Sequence, residues 1–398
     1  MKHRPRLLII VSSFPKPPNL MNLSPWALDQ TQQLAKIVDC TVVSPTPNLW
    51  IPHFATSFLP SKLGRWSGIE IDHDFGEFRA HYVRVPLRTY TRNARFKSSG
   101  MVAESWTQAV EDSIDMRDFD IILAHHPMVE GLVAKRLKDK YGIPFITIEH
   151  SHDDPFTGNN EFGENYSLVA DSADAFLCPS KRLLDKISAR YHIRNAIAIP
   201  NGGAEFSGQD RTFDLKDKIE FISIGALSEY KNYETLLRAF DDKLLRQRGK
   251  LKIVGNGPAK KEYEHLTSNM QLGDVVDFVG QMPHDLVFQI LDQSHVFVLL
   301  SEESFSVAAV EAMGRGLPVV LAESTGISEL VTDGVQGFVV QNEKRKDPKY
   351  ISSILRQFVI EPSLIPRMSR AALELSKSLT WEANAQAIAH LVGRILNV

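Results

Sequence analysis

The chain has 398 residues, of which 43% are hydrophobic and 23% are charged. This length is too great for one ordinary hydrophobic core, so two domains are predicted. No apolar run approaches the ~20 residues that a membrane-spanning helix needs. The net charge is only −3, and we expect no nucleic-acid partner.

The first apolar run, Leu7–Val11, is too short for the hydrophobic region of a signal peptide and predicts a strand over Leu7–Ser12. A Pro-rich loop, an amphipathic helix over Pro25–Val38 and a second strand over Cys40–Ser44 are expected next. Cys40 and Cys178 lie in apolar, strand-like contexts, so we expect buried free thiols in a reducing cytoplasm.

Residues 1–97 contain 13 Lys and Arg but only 6 Asp and Glu. A basic region of this kind fits either an anionic partner, such as a membrane surface, or an ordinary solvated face. Its last part, Thr46–Lys97, has many Pro and aromatic residues and is expected to be irregular. This segment is a candidate acceptor or membrane contact, or else a small satellite core.

Strand and helix patterns then alternate regularly along the chain. Strands are expected at Phe119–Leu123, Pro144–Ile148, Ala175–Cys178, Ala196–Ile199, Ile219–Ile224, Lys250–Val254, Val275–Val279, Val296–Leu300 and Gly337–Val340. Helices are expected at Val129–Tyr141, from Ser180 to Tyr191, from Asn232 to Phe240, twice after Val340, and at Trp381–Leu396. Such alternation predicts parallel sheets covered on both faces, so the fold class is α/β with two doubly wound domains.

One stretch, Val296–Pro318, combines a strand, a polar loop and the start of a helix. A helix start presents free backbone N–H groups and the positive end of a dipole, which suit a phosphate. Glu303 lies in the loop and Glu311 lies in the helix. A carboxylate beside such a helix start can accept hydrogen bonds from a vicinal diol such as ribose.

The motif from Glu303 to Glu311, ESFSVAAVE, followed by AMGRGLPVV, resembles the E-x7-E signature of retaining glycosyltransferases of family 4. The segments SADAFLCPSKRLLDKI and AIAIPNGG resemble the end of that family's first domain. The resemblance implies the GT-B fold, in which two Rossmann-like domains face a cleft and the last helix crosses back to the first domain. The expected boundaries are residues 1–205, a linker at 206–217, a donor-binding domain at 218–378 and a crossover helix at 379–398.

The resemblance also implies roles for individual residues. Glu303 would contact the donor sugar, Glu311 the nucleotide ribose and Lys231 the diphosphate, and His150 would lie at the donor–acceptor junction. The expected catalytic residues are therefore His150, Glu303 and Lys231. The expected donor-binding residues are Glu311, Ser304, Phe305, Ser306, Val307, Gly225, Gly255, Gly257 and Met282.

Some features depart from the family pattern or allow another interpretation. Ala226 stands where the family has an Arg of the diphosphate clamp. Glu329 matches a family position without a defined role. His150, His152, Asp153 and Asp154 could together bind a metal, and Asp72-His73-Asp74 resembles the D-x-D motif of metal-dependent sugar transferases. The family resemblance instead implies no cofactor and no metal.

The expected function is therefore retaining transfer of a sugar from a nucleotide-diphosphate sugar to a glycan, lipid-linked or small-molecule hydroxyl, in bacterial surface polysaccharide assembly. The alternatives are a nucleotide-sugar epimerase or hydrolase on a similar frame, and a non-catalytic partner subunit that binds nucleotide sugar. The expected location is the cytoplasm, with contact between the basic first domain and the inner face of an anionic membrane.

Overall fold

The computed structural model describes residues 4–16, 26–47, 72–90, 98–150, 160–207, 211–215 and 217–398. The chain forms two compact units. One unit comprises residues 1–199 together with 381–398, and the other comprises residues 200–380.

The first unit is built around a predominantly parallel sheet. Its described strands are β1 (Arg6–Ile10), β2 (Asp39–Val43), β3 (Thr46–Pro47), β4 (Asp72–Asp74), β5 (Arg79–His81), β6 (Arg84–Val85), β7 (Ile121–His125), β8 (Phe145–Ile148), β9 (Ala175–Cys178) and β10 (Ala196–Ala198). Eight of them form a sheet in the order β10-β9-β8-β7-β1-β2-β5-β4, in which only β4 and β5 pair antiparallel. The strand order reverses between β1 and β7, which is where open α/β sheets bind ligands.

Helices cover both faces of this sheet. The described ones are α1 (Trp26–Ala35), α2 (Leu87–Tyr90), α3 (Ser99–Glu111), α4 (Leu132–Tyr141), α5 (Asn160–Ser172) and α6 (Lys181–Ser188), with a 3-10 turn at Met116–Asp118. A π turn over Pro127–Gly131 precedes α4, so this helix begins at Leu132 and not at the predicted Val129. As predicted, Ser180 caps α6, because its hydroxyl accepts a hydrogen bond from the backbone N–H of Leu183.

The expectation of an irregular Thr46–Lys97 segment is wrong for residues 72–90. Strand β5 extends the sheet beside β2, and β4 continues it. Phe75 and Phe78 pack against Phe14, and Tyr82 is fully buried. These contacts match the satellite-core interpretation for the described part. The rest of the segment, residues 48–71 and 91–97, lies outside the described residues.

The second unit has an entirely parallel sheet. Its strands are β11 (Ile219–Ile224), β12 (Gly249–Val254), β13 (Val276–Gly280), β14 (Val296–Leu299), β15 (Val319–Ala322) and β16 (Gly337–Val340), in the order β13-β12-β11-β14-β15-β16. Its helices are α7 (Tyr233–Ala239), α8 (Lys243–Arg248), α9 (Lys260–Asn269), α10 (His284–Asp292), α11 (Val307–Gly314), α12 (Pro348–Ile360) and α13 (Leu364–Ser376), with 3-10 turns at Glu229–Lys231 and Gly326–Leu330. The order reverses between β11 and β14, so the expected ligand crevice lies beyond the carboxyl ends of these two strands.

The last helix, α14 (Trp381–Leu396), belongs to the first unit and packs against α1. The buried amide of Gln30 donates to Asn384 Oδ1 at 2.8 Å, and Ala385, Ile388 and Val392 join the core under the first sheet.

Cys40 and Cys178 are buried free thiols, as predicted, and burial raises the pKa of Cys40 to about 12. Within the described part of the chain, no helix is both long and apolar enough to span a bilayer.

Candidate functional site

The candidate donor site lies where the strand order of the second sheet reverses. Strand β11 leads into the loop from Gly225 to Lys231, and strand β14 leads into the loop from Leu300 to Ser306. Because β11 and β14 are parallel neighbours, both loops leave the same edge of the sheet. The sequence placed Lys231 and Glu303 in these two loops, and the fold brings them into contact.

Glu303 and Lys231 form an ion pair with little exposure to solvent. Lys231 Nζ donates to Glu303 Oε1, and Ser301 Oγ donates to the same oxygen at 2.6 Å. The side chains of Lys231 and Glu303 are only 11% and 18% exposed. The ammonium group has three donors, so it can keep this bond and still offer N–H groups to an anion.

The loop that carries Glu303 is held by the start of the 3-10 turn at Gly326–Leu330 and by Thr325, the residue before it. Thr325 Oγ1 donates to the carbonyl of Ser301 at 2.7 Å, and the backbone N–H of Gly326 donates to the carbonyl of Glu303 at 2.9 Å. These bonds place the Glu303 carboxylate on a rigid support. Glu329, in the same turn, is exposed.

Helix α11 begins at Val307 with Ser306 as its N-cap. Ser306 has φ = 101°, and its hydroxyl accepts a hydrogen bond from the N–H of Ala309 at 3.3 Å. In the described part of the chain, the N–H groups of Val307 and Ala308 have no acceptor, as is usual at a helix start. They are the donors available to a phosphate.

Two of the predicted donor-binding residues turn their side chains into the protein. Phe305 is buried in the core of the second unit. Val307 packs closely on Gly203, because a Cβ built on Gly203 would lie only 2.9 Å from Val307 Cγ1. Phe305 can therefore face a ligand only through its backbone, whereas the side chain of Val307 is half-buried. Ser304 is half-buried in the same loop.

Glu311 lies one turn into α11 and is held by His284, which was not predicted as a site residue. His284 Nε2 lies 2.7 Å from Glu311 Oε1. The Glu311 side chain is 10% exposed, whereas the imidazole is 39% exposed. His284 is the first residue of α10. The sequence signal that could have drawn attention to it is the four-residue spacing of His284, Phe288 and Asp292, which places them on one face of a helix.

The glycines of the predicted site have a packing role that the structure makes plain. Gly255 has φ = 143°, and a Cβ there would lie 1.9 Å from the carbonyl oxygen of Gly225. A Cβ at Gly257 would lie 2.3 Å from the carbonyl oxygen of Leu227. These glycines let the loops after β11 and β12 touch.

Two further side chains lie beside this edge of the sheet. Met282 is half-buried after β13 and packs on the core beside α11. Arg345 donates to the carbonyl of Leu300 at 3.4 Å and lies 3.9 Å from Glu302. Arg345 therefore places a positive charge near the loop that carries Glu303. Ala226, at the position where the family has an Arg, carries no charge.

His150 lies in the first unit, at the carboxyl end of β8. It stacks on His125, with ring centroids 5.3 Å apart, and its Nε2 lies 3.0 Å from His125 Nδ1. The indole of Trp26 covers both rings, 4.4 Å from that of His150 and 5.2 Å from that of His125. His125 and Trp26 were not predicted as site residues.

Burial keeps both histidines neutral. It lowers the pKa of His125 to about 3, and it lowers the pKa of His150 well below its ordinary value, with the neighbouring imidazoles adding to the effect. Behind this pair, the buried carboxylate of Glu149 accepts a hydrogen bond from Tyr166 at 2.9 Å. A neutral imidazole at this edge can donate or accept one hydrogen bond with a hydroxyl.

The structure describes only one of the two groups that the sequence offered as alternative metal sites. His152, Asp153 and Asp154 lie outside the described residues, so the alternative metal group with His150 is not tested. Asp72-His73-Asp74 forms β4 at the sheet edge, where the exposed Asp72 bonds His81 at 2.6 Å. Among the described residues, no three His, Cys, Asp or Glu side chains are placed to hold a metal ion.

A charged cavity of about 1020 Å³ lies elsewhere in the second unit. It is lined by Glu220, Lys250 and His295, at the amino ends of the strands. Ligands of doubly wound sheets bind at the carboxyl ends, so this cavity is not the candidate donor site.

The sequence matches two family descriptions. Residues 65–202 match "Glycosyltransferase Family 4", and residues 209–374 match "Glycosyl transferases group 1". An uncharacterized glycosyltransferase of Methanocaldococcus jannaschii is 24% identical over 68% of this chain and 74% of its own length. A D-inositol 3-phosphate glycosyltransferase of Streptomyces avermitilis is 26% identical over 68% of this chain and 64% of its own length.

Solved structures show the same fold at low identity. Sucrose-phosphate synthase from Thermosynechococcus elongatus superposes with a TM-score of 0.78 at 16% identity, over 99% of this chain and all of that one. Anabaena HepE, solved in complex with UDP and glucose, superposes with a TM-score of 0.70 at 16% identity, over 98% of this chain and all of that one.

The two doubly wound units and these matches define a glycosyltransferase with the GT-B fold. The chain belongs to glycosyltransferase family 4, as its E-x7-E motif indicated.

Proposed function

We propose that this enzyme transfers a sugar, with retention of anomeric configuration, from a nucleotide-diphosphate sugar to a hydroxyl acceptor. The observation that carries the proposal is the contact of Lys231 with Glu303 beside the start of α11, with Glu311 one turn further along the helix. A cation, a helix start and two carboxylates meet at the edge of the sheet where its strand order reverses.

Each part of the donor has a chemical partner in this arrangement. The N–H groups of Val307 and Ala308 and the ammonium of Lys231 would bind the diphosphate. Glu311 would accept hydrogen bonds from the ribose diol, and Glu303 would accept them from the hydroxyls of the sugar. As the glycosidic bond breaks, negative charge grows on the leaving diphosphate, and Lys231 and the helix start would stabilise it.

The acceptor would bind through the first unit, where His150 and His125 are neutral and bonded to each other. In a retaining same-face mechanism the leaving phosphate oxygen accepts the proton of the acceptor hydroxyl, so the protein supplies position and charge rather than a base. With Lys231 at the diphosphate, this mechanism is expected to run without a metal ion.

The comparisons support the substrate class. HepE is described with UDP and glucose, and several relatives are described as acting on D-inositol 3-phosphate. We therefore propose a nucleotide-sugar donor and an acceptor hydroxyl on a glycan, a lipid-linked glycan or a small polyol. Surface polysaccharide assembly in the cytoplasm, beside an anionic membrane, is the setting in which we expect this reaction.

The test is an assay with UDP-, GDP- and ADP-sugars, run with an acceptor library and without acceptor. We expect one donor to give a glycoside whose anomeric configuration, measured by NMR, is that of the donor, with the rate unchanged by EDTA. An inverted product or a rate abolished by EDTA would contradict the mechanism. Donor conversion without acceptor would favour an epimerase or hydrolase, and binding without turnover would favour a non-catalytic subunit.

A further inference from the structure

Helices α10 and α11 contact each other through a row of side chains. On α10, His284, Phe288 and Asp292 are spaced four residues apart, so they lie on one face. Opposite them are Glu311 and Arg315. His284 bonds Glu311 at 2.7 Å, and Arg315 Nε bonds Asp292 Oδ1 at 2.7 Å.

Phe288 joins the two polar contacts of this row. Its ring lies 4.7 Å from the imidazole of His284, and the guanidinium of Arg315 lies 5.5 Å from its centroid. The imidazole is thus held by packing on one side and by the Glu311 carboxylate on the other. This fixes the position of His284 Nε2 against Glu311 Oε1.

The contact uses only one oxygen of the carboxylate. In the described part of the chain, Glu311 Oε2 has no hydrogen-bond partner, and the Glu311 side chain is nearly buried. A nearly buried carboxylate with one oxygen bound in this way presents its other oxygen, Oε2, to a ligand in a fixed direction. Such a group distinguishes a ligand with a hydroxyl near Oε2 from a ligand without one. When that hydroxyl is missing, a nearly buried acceptor is left without a hydrogen-bond partner.

We propose that His284 is the positioning residue of Glu311 and, through it, sets the selectivity of the site for ribonucleotides over 2′-deoxyribonucleotides. The proposal rests on the proposed function, in which Glu311 accepts from the ribose diol. It concerns a residue outside the E-x7-E motif. His284 acts by fixing the Glu311 rotamer.

The test compares the binding of UDP, GDP and ADP with that of their 2′-deoxy counterparts by calorimetric titration. Wild-type protein should bind one ribonucleotide about 10-fold or more tightly than its deoxy form, since a charged hydrogen bond is lost. In His284→Ala this ratio should fall to about 3-fold or less, mainly through weaker ribonucleotide binding. His284→Gln, which keeps a donor near the position of Nε2, should restore most of the ratio.

Two controls separate a positioning role from a structural one. His265→Ala, an exposed histidine on α9, should leave both affinities unchanged. Glu311→Ala should abolish the ratio, and adding His284→Ala to it should change nothing further, because both act through one contact.

The possible failures are distinguishable. If His284→Ala weakens both nucleotides equally, or leaves the ratio intact while Glu311→Ala abolishes it, the positioning role is wrong and the proposed donor site stands. If no nucleotide binds the wild-type protein, the proposed function itself is wrong.

Discussion

At the scale of single residues, the candidate donor site depends on charges that are paired before any ligand arrives. Lys231 and Glu303 are in direct contact and little exposed to solvent, and Ser301 adds a bond to the same carboxylate oxygen. A partly buried pair of this kind is costly to break on one side, because the remaining charge is left without its partner. Glu303 therefore balances the charge of Lys231 before the donor binds.

The two glutamates of the E-x7-E motif should affect different kinetic constants. Glu311→Ala should raise the donor KM about 10-fold or more, since it removes a charged hydrogen bond to the ribose. Glu303→Ala should lower kcat about 100-fold, because it releases Lys231 and the sugar from their transition-state positions. Steady-state kinetics with the identified donor measure both constants. Wild-type values in both variants would remove the assignment.

The buried imidazole of His125 predicts a pH dependence of stability. Its folded pKa is about 3, and its unfolded pKa is about 6.5. Between these values the unfolded state binds more protons, so stability is full above pH 6.5 and is lost as the pH falls toward 3. This residue should lower the free energy of unfolding by about 3 kcal/mol between pH 7 and pH 4.

Urea unfolding at several pH values checks this, with His125→Phe as the variant. The difference between pH 7 and pH 4 should shrink by most of that amount in the variant. An equal pH dependence in both proteins would show that His125 is not buried neutral. His265→Ala, on the surface of the other unit, serves as the control.

At the scale of elements, one arginine holds the ends of the two helices that carry His284 and Glu311. Arg211 donates to the carbonyls of Leu291 at 3.0 Å and Asp292 at 3.3 Å, and also to those of Ser294 and Arg315. These carbonyls lie at the C-terminal ends of α10 and α11, where a cation is favoured by the helix dipoles. Burial lowers the pKa of Arg211 to about 10, which leaves it charged near neutral pH.

Arg211→Ala should therefore destabilise the second unit by about 2 kcal/mol or more, because several carbonyls lose a charged donor. Arg238→Ala is the matched control, since Arg238 makes an exposed pair with Glu234 on α7. That variant should cost about 0.5 kcal/mol at most. Chemical unfolding measures the stability of both variants, and equal losses of stability would show that Arg211 does not hold the ends of α10 and α11.

The contact between the loops after β11 and β12 gives a second prediction at this scale. Gly255→Ala should destabilise the fold by about 3 kcal/mol, because the new Cβ would collide with the carbonyl of Gly225 at a positive φ. Gly273→Ala, where a Cβ meets nothing within 4 Å, should change stability by less than about 0.5 kcal/mol. Thermal unfolding distinguishes them, and a tolerated Gly255→Ala would mean that the loops do not touch.

At the scale of the whole molecule, the two-sheet architecture was easier to predict from the sequence than the side-chain contacts of the site. The apolar strands and the helix periodicity gave both doubly wound sheets, because buried parallel strands leave a strong local pattern. Strands β4 and β5 were missed, since their short polar sequences pair only through the tertiary fold. His284 and His125 were missed for a similar reason, because their partners, Glu311 and His150, are 27 and 25 residues away.

The central claim is that α11 and its two flanking acidic residues bind the nucleotide of an activated sugar. A thermal-unfolding screen against UDP-, GDP- and ADP-sugars tests it most directly. A ligand at 100 times its Kd stabilises a protein by about 2.7 kcal/mol. We expect one donor to stabilise the wild-type enzyme by this amount and to have little effect on Glu311→Ala or Lys231→Ala at the same concentration. A shift that persists undiminished in both variants, or no shift with any donor, would contradict the claim.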